Sequence, residues 1–172
     1  MENHAEGNLS SYERLKQQQT LGEILETAMS FEKTAYEFYA SLQDKVSKRL
    51  RPLIQELVEE EQEHYELFSK LRERDDVQAH IQDKIQTPPS NHKFSDYVHL
   101  PKLSDFPDDQ SILQYAMGRE QAAMEQYGSL AEESLPGPIQ DLFYFLSHEE
   151  LEHKNWLEKK YYDLVHLSHE DN

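Results

Sequence analysis

Two copies of a Glu-x-x-His motif are the residues of this chain whose spacing best suits chemistry. The first copy places Glu61 three residues before His64, and the second places Glu150 three residues before His153. Residues three apart on a helix share a face, so each copy can direct a carboxylate and an imidazole at one point. Both groups are metal ligands, and each copy is therefore a candidate half of a metal site.

A single glutamate accompanies each motif on the apolar face of a different predicted helix. Glu32 and Glu120 both stand among apolar residues spaced three or four apart. Four carboxylates and two imidazoles in one helical core would cost much free energy unless positive charge lay between them. Two divalent cations would balance four carboxylates and two neutral imidazoles. The sequence therefore predicts a two-metal site with the ligands Glu32, Glu61, His64, Glu120, Glu150 and His153.

Four amphipathic helices are predicted to position these ligands. Apolar residues at steps of three or four predict helices over about residues 20–47, 50–78, 109–134 and 138–165. Thr20 and Glu23 form a capping-box pattern before the first helix, and Pro52 suits the first turn of the second. No segment alternates with period two, so strands are not expected.

The spacing of these helices predicts an all-α fold made of one four-helix bundle. Short turns within each half and a long link over about residues 79–108 predict two antiparallel helical hairpins joined by a crossover connection. The bundle should span residues 20–166. Residues 1–19 are predicted to form a flexible N-terminal tail and residues 167–172 a C-terminal tail.

The four glutamates are predicted to lie at one level of the bundle. Glu32 lies 16 residues before a first turn near residue 48, and Glu61 lies 13 residues after it. At about 1.5 Å per residue these distances are roughly 24 and 20 Å, which agree within one turn. The second half repeats the first, since residues 28–32 align with residues 116–120 at an offset of 88. One site shared by all four helices follows.

Composition limits the classes of partner. Lys and Arg number 17 against 34 Asp and Glu, so the formal net charge is -17. Nucleic acid and anionic membrane surfaces would repel such a chain, and neither is predicted as a partner. No cysteine is present, which excludes disulfides and thiolate-bound metal. No segment has the pattern of a signal peptide or a membrane span, so a cytoplasmic protein is expected.

The chain resembles the rubrerythrin-related branch of the ferritin-like superfamily over about residues 20–166. Residues 31–39 and 59–64 carry the resemblance in the first half, and residues 119–127 and 148–153 carry it in the second. Proteins of this kind are helical bundles that hold two metal ions between carboxylates and histidines. The resemblance implies two iron ions per bundle, with manganese possible because both suit oxygen and nitrogen ligands. It also implies a homodimer.

The resemblance further implies a role for each candidate residue. Glu32 and Glu120 would be terminal ligands, Glu61 and Glu150 bridging carboxylates, and the two histidines nitrogen ligands. Two tyrosines, Tyr39 and Tyr127, would form hydrogen bonds near the metals. Five further glutamates flank the ligands but point off the apolar face, so they are expected to form a solvated acidic surface: Glu59, Glu60, Glu63, Glu149 and Glu152.

Two departures from the family's pattern shape the functional expectation. The four-cysteine iron domain that delivers electrons in rubrerythrins is absent, so any reductant would be a separate protein. Ala123 stands where rubrerythrins usually carry an extra glutamate, which makes the ligand set closer to the ferroxidase centre of bacterioferritin-type proteins. The expected function is oxidation of ferrous iron with hydrogen peroxide or dioxygen, or reduction of these oxidants. The alternatives are iron storage, a di-iron hydroxylase of an organic substrate, and a non-catalytic metal-binding bundle.

Overall fold

Four long helices make up most of the computed structural model, which describes residues 18–86 and 93–170. They are α1 (Leu21–Leu42), α2 (Arg51–Glu73), α3 (Asp109–Glu133) and α4 (Pro138–Glu170). Single helical turns lie at Asp75–Gln78 and Lys93–Asp96, and a 3-10 turn lies at Leu103–Asp105. The predicted all-α bundle is confirmed.

The helices pack as two hairpins, α1 against α2 and α3 against α4. Residues 43–50 form the first turn and residues 134–137 the second. Gly137 has a φ of 152°, a backbone conformation that side chains rarely adopt, so glycine suits this turn. The chain from residue 74 to residue 108 joins the two hairpins, as the long link predicted.

Local capping explains where the helices begin. Thr20 accepts a hydrogen bond from the backbone N–H of Glu23 at 3.1 Å, as its capping pattern predicts. Pro52 lies in the first turn of α2, where a missing N–H costs nothing. Asp108 caps α3 by accepting from the N–H of Ser111 at 2.8 Å.

The helix ends differ from those predicted. α1 ends at Leu42 rather than near residue 47. Val46 and Leu50 lie in the turn but still pack into the core, so they extend the apolar pattern from which the longer helix was predicted. α2 ends at Glu73, where Arg74 takes an extended conformation, and Val77 in the next helical turn is again buried. α4 continues to Glu170, so the predicted C-terminal tail at 167–172 is helical as far as the structure describes it.

The expectation of no strands is wrong at one place. Strands β1 (Gln18–Thr20) and β2 (Lys84–Gln86) pair in antiparallel fashion over three residues. The ribbon continues into α1, whose first N–H groups at Leu21 and Gly22 donate to the carbonyls of Asp83 and Ile81. Backbone hydrogen bonds rather than side-chain alternation hold this ribbon, so periodicity could not reveal it. The remainder of the predicted N-terminal tail, residues 1–17, lies outside the described residues.

Two apolar clusters fill the bundle, one on each side of a polar layer. The first cluster includes Leu25, Ala28, Phe31, Phe68, Ala123, Tyr127, Phe143 and Leu146. The second includes Ala35, Phe38, Tyr39, Leu53, Leu57, Ala116 and Leu157. Each long helix passes from one cluster to the other, and its candidate ligand lies between them. No helix in the described part of the chain is both long and apolar enough to cross a lipid bilayer.

The connection between the hairpins covers one side of this polar layer. The ring of Phe94 stacks on that of Phe31 at 4.3 Å between centroids. Tyr97 approaches α3 so closely that a Cβ added to Gly118 would lie 2.5 Å from its hydroxyl oxygen. Thr34 donates a hydrogen bond to the carbonyl of Val98 at 3.0 Å. The link is therefore packed beside the candidate site.

Candidate metal centre

The structure brings all six predicted ligand residues together at the centre of the bundle. α1 supplies Glu32 and α3 supplies Glu120. α2 and α4 each supply one Glu-x-x-His pair. The four carboxylates are fully buried, His64 is buried, and the side chain of His153 is 13% exposed. One ligand residue from each of α1 and α3 meets two from each of α2 and α4. The four helices therefore place their ligands at one level of the bundle, as predicted.

The ligand atoms fall into two overlapping sets, in each of which all atoms lie within 4.8 Å of one another. We call them the His64 subsite (Glu32, Glu61, His64 and Glu150) and the His153 subsite (Glu61, Glu120, Glu150 and His153). Glu61 and Glu150 belong to both. This buried cluster of carboxylates and imidazoles could hold a metal ion.

Unpartnered polar atoms show that the residues fit such an ion. Among the described residues, neither oxygen of Glu150 has a hydrogen-bond partner, and neither does Oε2 of Glu120. The Nδ1 atoms of His64 and His153 also form no hydrogen bond, although Nδ1 of His64 lies 3.2 Å from Oε1 of Glu150. Buried polar atoms are normally paired, because an unpaired one keeps the full cost of leaving water. One cation in each of the two subsites would satisfy these atoms.

Two glutamates outside the predicted ligand set orient the imidazoles. Nε2 of His64 forms a hydrogen bond with Glu149 of α4 at 2.8 Å. Nε2 of His153 lies 2.8 Å from Oε2 of Glu60 on α2. Each imidazole is thus held by a carboxylate from the opposite hairpin, and its Nδ1 is left toward the cluster. Such carboxylate–histidine pairs are the usual support of metal-binding histidines.

The expectation of a solvated acidic surface is therefore wrong for Glu60 and Glu149, which are partly buried. It agrees with the structure for Glu59, Glu63 and Glu152, which are exposed. The chain carries a signal for the first pair, since both copies of the motif read Glu-Glu-x-Glu-His. The contacts run between the two hairpins. The extra glutamate of each motif can therefore be assigned to a histidine only when it is known which residues of α2 and α4 face each other.

Arg119 lies inside the carboxylate cluster and was not among the predicted site residues. It is fully buried, and its Nη1 and Nη2 donate to Oε1 and Oε2 of Glu61 at 2.9 and 3.1 Å. Nη2 also donates to Glu32 at 3.0 Å, and Nη1 to Glu120 at 3.2 Å. The guanidinium carbon lies 4.1 Å from the centre of the Phe31 ring. One arginine thus contacts three of the four carboxylates.

The internal repeat contains the sequence signal for Arg119. The offset of 88 residues that aligns Glu32 with Glu120 also aligns Phe31 with Arg119. An arginine therefore stands where the first half has a buried phenylalanine. Position alone could not show that this arginine is inside, since arginine is almost never fully buried without partners.

The two predicted tyrosines differ in their contacts. Tyr127 donates a hydrogen bond of 2.6 Å to Oε1 of Glu32. Tyr39 is equally buried, but its hydroxyl has no hydrogen-bond partner within residues 18–86 and 93–170. The two halves of the site are not identical, because Arg119 has no counterpart in the first half.

Comparisons with known proteins add a likeness of fold. A solved structure titled "Hypothetical Protein Pfu-1136390-001 From Pyrococcus furiosus" matches at 28% sequence identity with a TM-score of 0.62. The match covers 86% of this chain and 92% of that one. No family model and no curated protein matches the chain. The two chains therefore have a similar fold over most of their lengths.

The charges of the cluster are strongly coupled. Burial, together with the neighbouring carboxylate of Glu61, raises the pKa of Glu32 to about 8. Burial alone would also raise the pKa of Glu61, but the charge of Arg119 outweighs it and holds that pKa well below its usual range. The pKa of Arg119 lies well above its usual value because the carboxylates of Glu61 and Glu32 outweigh its burial. Glu61 and Arg119 are thus both charged in the metal-free cluster.

The imidazoles carry positive charge in the same state. Burial lowers the pKa of His153, but Glu60 and Glu150 outweigh it and raise that pKa to about 9. Burial lowers the pKa of His64 as well, but the adjacent carboxylates of Glu149 and Glu150 outweigh it and hold that pKa well above its usual value. A metal ion that binds Nδ1 would therefore displace protons from the cluster.

Proposed function

We propose that this chain is a di-iron protein that oxidises ferrous iron with hydrogen peroxide or dioxygen, or reduces these oxidants. The observation that carries the proposal is the pair of overlapping subsites, which share Glu61 and Glu150. Two ligand sets with two carboxylates in common are what a pair of neighbouring metal ions needs. The unpartnered atoms of Glu120, Glu150 and the two histidines support the same proposal.

Iron is proposed because the donor atoms are carboxylate oxygens and imidazole nitrogens. Such ligands suit iron or manganese, and thiolate is absent from the chain. When bound, two iron ions would supply the electrons, one each, for the reduction of one peroxide to two waters with two protons. No side chain of the cluster supplies redox chemistry of this kind.

The side chains have distinct tasks in this proposal. Glu61 and Glu150 are placed to bridge, because they belong to both subsites. Glu32 and Glu120 each serve one subsite, and each histidine offers Nδ1 to one of them. Tyr127 donates a hydrogen bond to Oε1 of Glu32 and so fixes the orientation of that carboxylate. The apolar clusters above and below the layer exclude water from the site.

Three parts of the proposal concern the surroundings of the chain. With no cysteine available, electrons for repeated turnover would come from a separate donor protein. The chain would act as a homodimer in the cytoplasm. A carboxylate-rich surface with net charge -17 supports the proposal by attracting ferrous ions toward the bundle.

The test is anaerobic loading with ferrous iron, followed by separate additions of hydrogen peroxide and dioxygen while ferric absorbance is recorded. We expect two metal ions per chain and faster absorbance growth with one of the two oxidants than in protein-free buffer. His153→Ala should reduce both metal content and rate. His148→Ala is the matched control, because His148 lies on the same helix with its side chain 72% exposed.

Two outcomes would contradict the proposal in different ways. Binding of less than one metal ion per chain would exclude the metal centre. Binding of two metal ions without accelerated oxidation by either oxidant would instead identify a non-catalytic metal-binding bundle.

A further inference from the structure

The ligand atoms of the cluster are divided into engaged and free atoms by Arg119. Both oxygens of Glu61 accept hydrogen bonds from its guanidinium. Glu32 is also fully engaged, since Arg119 holds Oε2 and Tyr127 holds Oε1. Glu120 is engaged through Oε1 alone. The arginine contacts are charge-assisted, which makes them about twice as strong as neutral hydrogen bonds.

The free atoms are distributed unequally between the two subsites. The His153 subsite offers Nδ1 of His153, Oε2 of Glu120 and the oxygens of Glu150, none of which has a hydrogen-bond partner. The His64 subsite offers Nδ1 of His64 and the same Glu150, and these two groups lie 3.2 Å from each other. Its remaining ligands, Glu32 and Glu61, are held by Arg119. A metal ion can therefore find three ligand residues in the His153 subsite without breaking an arginine contact, but only two in the His64 subsite.

The charge of the cluster points in the same direction. When all four carboxylates are ionised, as metal ligands are, they contribute four negative charges, and the fully buried guanidinium of Arg119 contributes one positive charge. One divalent ion would leave a net charge of -1 with neutral imidazoles, whereas two would give +1. The second ion must therefore enter a cluster that already contains two cationic groups, at low local dielectric.

We propose that Arg119 is an internal counter-cation that competes with metal for Glu32 and Glu61, so that the His153 subsite fills first and the His64 subsite fills second and more weakly. In the metal-free protein the guanidinium takes the place of a missing ion and holds three carboxylates together. In the loaded protein it limits the affinity of the second site. This inference rests on the proposed metal centre but not on the oxidation reaction.

Anaerobic titration with Co²⁺ tests the order of filling. Co²⁺ is not oxidised under these conditions, and its visible absorption reports each binding step. We expect two steps whose dissociation constants differ by about tenfold or more, since the second ion must replace charge-assisted hydrogen bonds. His153→Ala should remove the tighter step. His64→Ala should remove the weaker step and leave the tighter one.

Substitution of the arginine tests the competition itself. Arg119→Met keeps the length of the side chain and removes its charge, so the ratio of the two dissociation constants should fall by about tenfold. The melting temperature of the metal-free variant should fall, and Co²⁺ should restore it. Arg74→Met is the matched control, because Arg74 is exposed and pairs with nearby Asp76 on the surface. It removes the same charge from the surface and should leave both steps unchanged.

The possible results separate this inference from the proposed function. No Co²⁺ binding by the wild-type chain would overturn the metal centre and everything built on it. Two equal steps, loss of the tighter step in His64→Ala, or an unchanged ratio in Arg119→Met would overturn only the role of Arg119. If Arg119→Met does not fold without metal, Arg119→Lys provides the second measurement. Lysine keeps the charge but cannot bind Glu61 through two nitrogens, so it should give an intermediate ratio.

Discussion

Glu150 differs from the other three buried glutamates in having both oxygens without a hydrogen-bond partner among the described residues. Tyr127 and Arg119 hold Glu32, and Arg119 holds Glu61. The nearest positive group is the imidazole of His64, whose Nδ1 lies 3.2 Å from Oε1 of Glu150. A metal ion that displaces the imidazole proton would take over this pairing, because a buried carboxylate needs a cation beside it.

Membership of both subsites makes Glu150 more important for metal content than Glu120. Glu150→Gln should weaken both Co²⁺ binding steps by about tenfold or more, because the loss of a charged ligand costs roughly 1.5–3 kcal/mol. Glu120→Gln should weaken only the tighter step. Calorimetric titration of the two variants would show the difference. Equal effects of the two substitutions would contradict the shared role of Glu150.

The carboxylates behind the imidazoles should matter as well, although they are not ligands. Glu149→Gln and Glu60→Gln should each lower metal affinity by about 10–100-fold, because these glutamates fix the direction of Nδ1. Glu59→Gln and Glu152→Gln are matched controls on the same helices, because both side chains are exposed. Metal titration of the four variants is the measurement. Similar losses of metal affinity in all four variants would mean that the effect comes from surface charge and not from the orientation of the imidazoles.

The six ligand positions could be predicted from spacing, because the period of the helix places Glu61 with His64 and Glu150 with His153. Their meeting point followed from hairpin geometry. The contacts of Glu60, Glu149 and Arg119 could not be predicted, since each depends on which residue of the other hairpin faces it. Sequence periodicity describes one helix at a time and carries no information about facing.

At the scale of elements, the described part of the connection between the hairpins packs two aromatic side chains against the core. Its residue Phe94 stacks on Phe31, and its residue Tyr97 lies against Gly118. Phe31 in turn lies under the guanidinium of Arg119. The connection therefore supports the arginine through one aromatic ring. Its lack of periodicity predicted a link but could not show this packing.

Removal of the Phe94 ring should destabilise the bundle and loosen the site. Phe94→Ala should lower the free energy of unfolding by about 2–3 kcal/mol, somewhat less than for a fully buried phenylalanine. The melting temperature should fall by roughly 4–12 °C at this chain length. Leu100→Ala is the control on the same connection, because Leu100 is 58% exposed. Thermal unfolding of the two variants would decide, and equal losses would contradict the packing role of Phe94.

At the scale of the whole molecule, the buried polar contacts between the two hairpins are concentrated in the metal-binding layer. Arg119 joins α3 to Glu32 and Glu61, and His64 joins α2 to Glu149. A metal ion shared by Glu61 and Glu150 would join the hairpins at the same place. Metal binding and the assembly of the bundle are therefore expected to be coupled.

Metal loading should stabilise the folded chain against heat. At a free metal concentration 100 times the dissociation constant, binding to the native state adds about 2.7 kcal/mol. The melting temperature should rise by roughly 5–10 °C and return to its original value with a chelator. Differential scanning calorimetry with and without Co²⁺ is the measurement. Glu150→Gln is the control and should show about half that shift or less at the same metal concentration, because binding weakened tenfold adds only about 1.4 kcal/mol. An equal shift in this variant would mean that Co²⁺ acts elsewhere.

The contact between Phe31 and Arg119 has a consequence for any symmetric version of this bundle. These residues occupy equivalent positions of the repeat and stack on each other at 4.1 Å. In a dimer built from two identical half-length hairpins, the same position would face itself. Two arginines there would repel each other, and two phenylalanines would leave the carboxylates without a positive partner. A single chain with two different halves avoids both conditions, and neither half can replace the other.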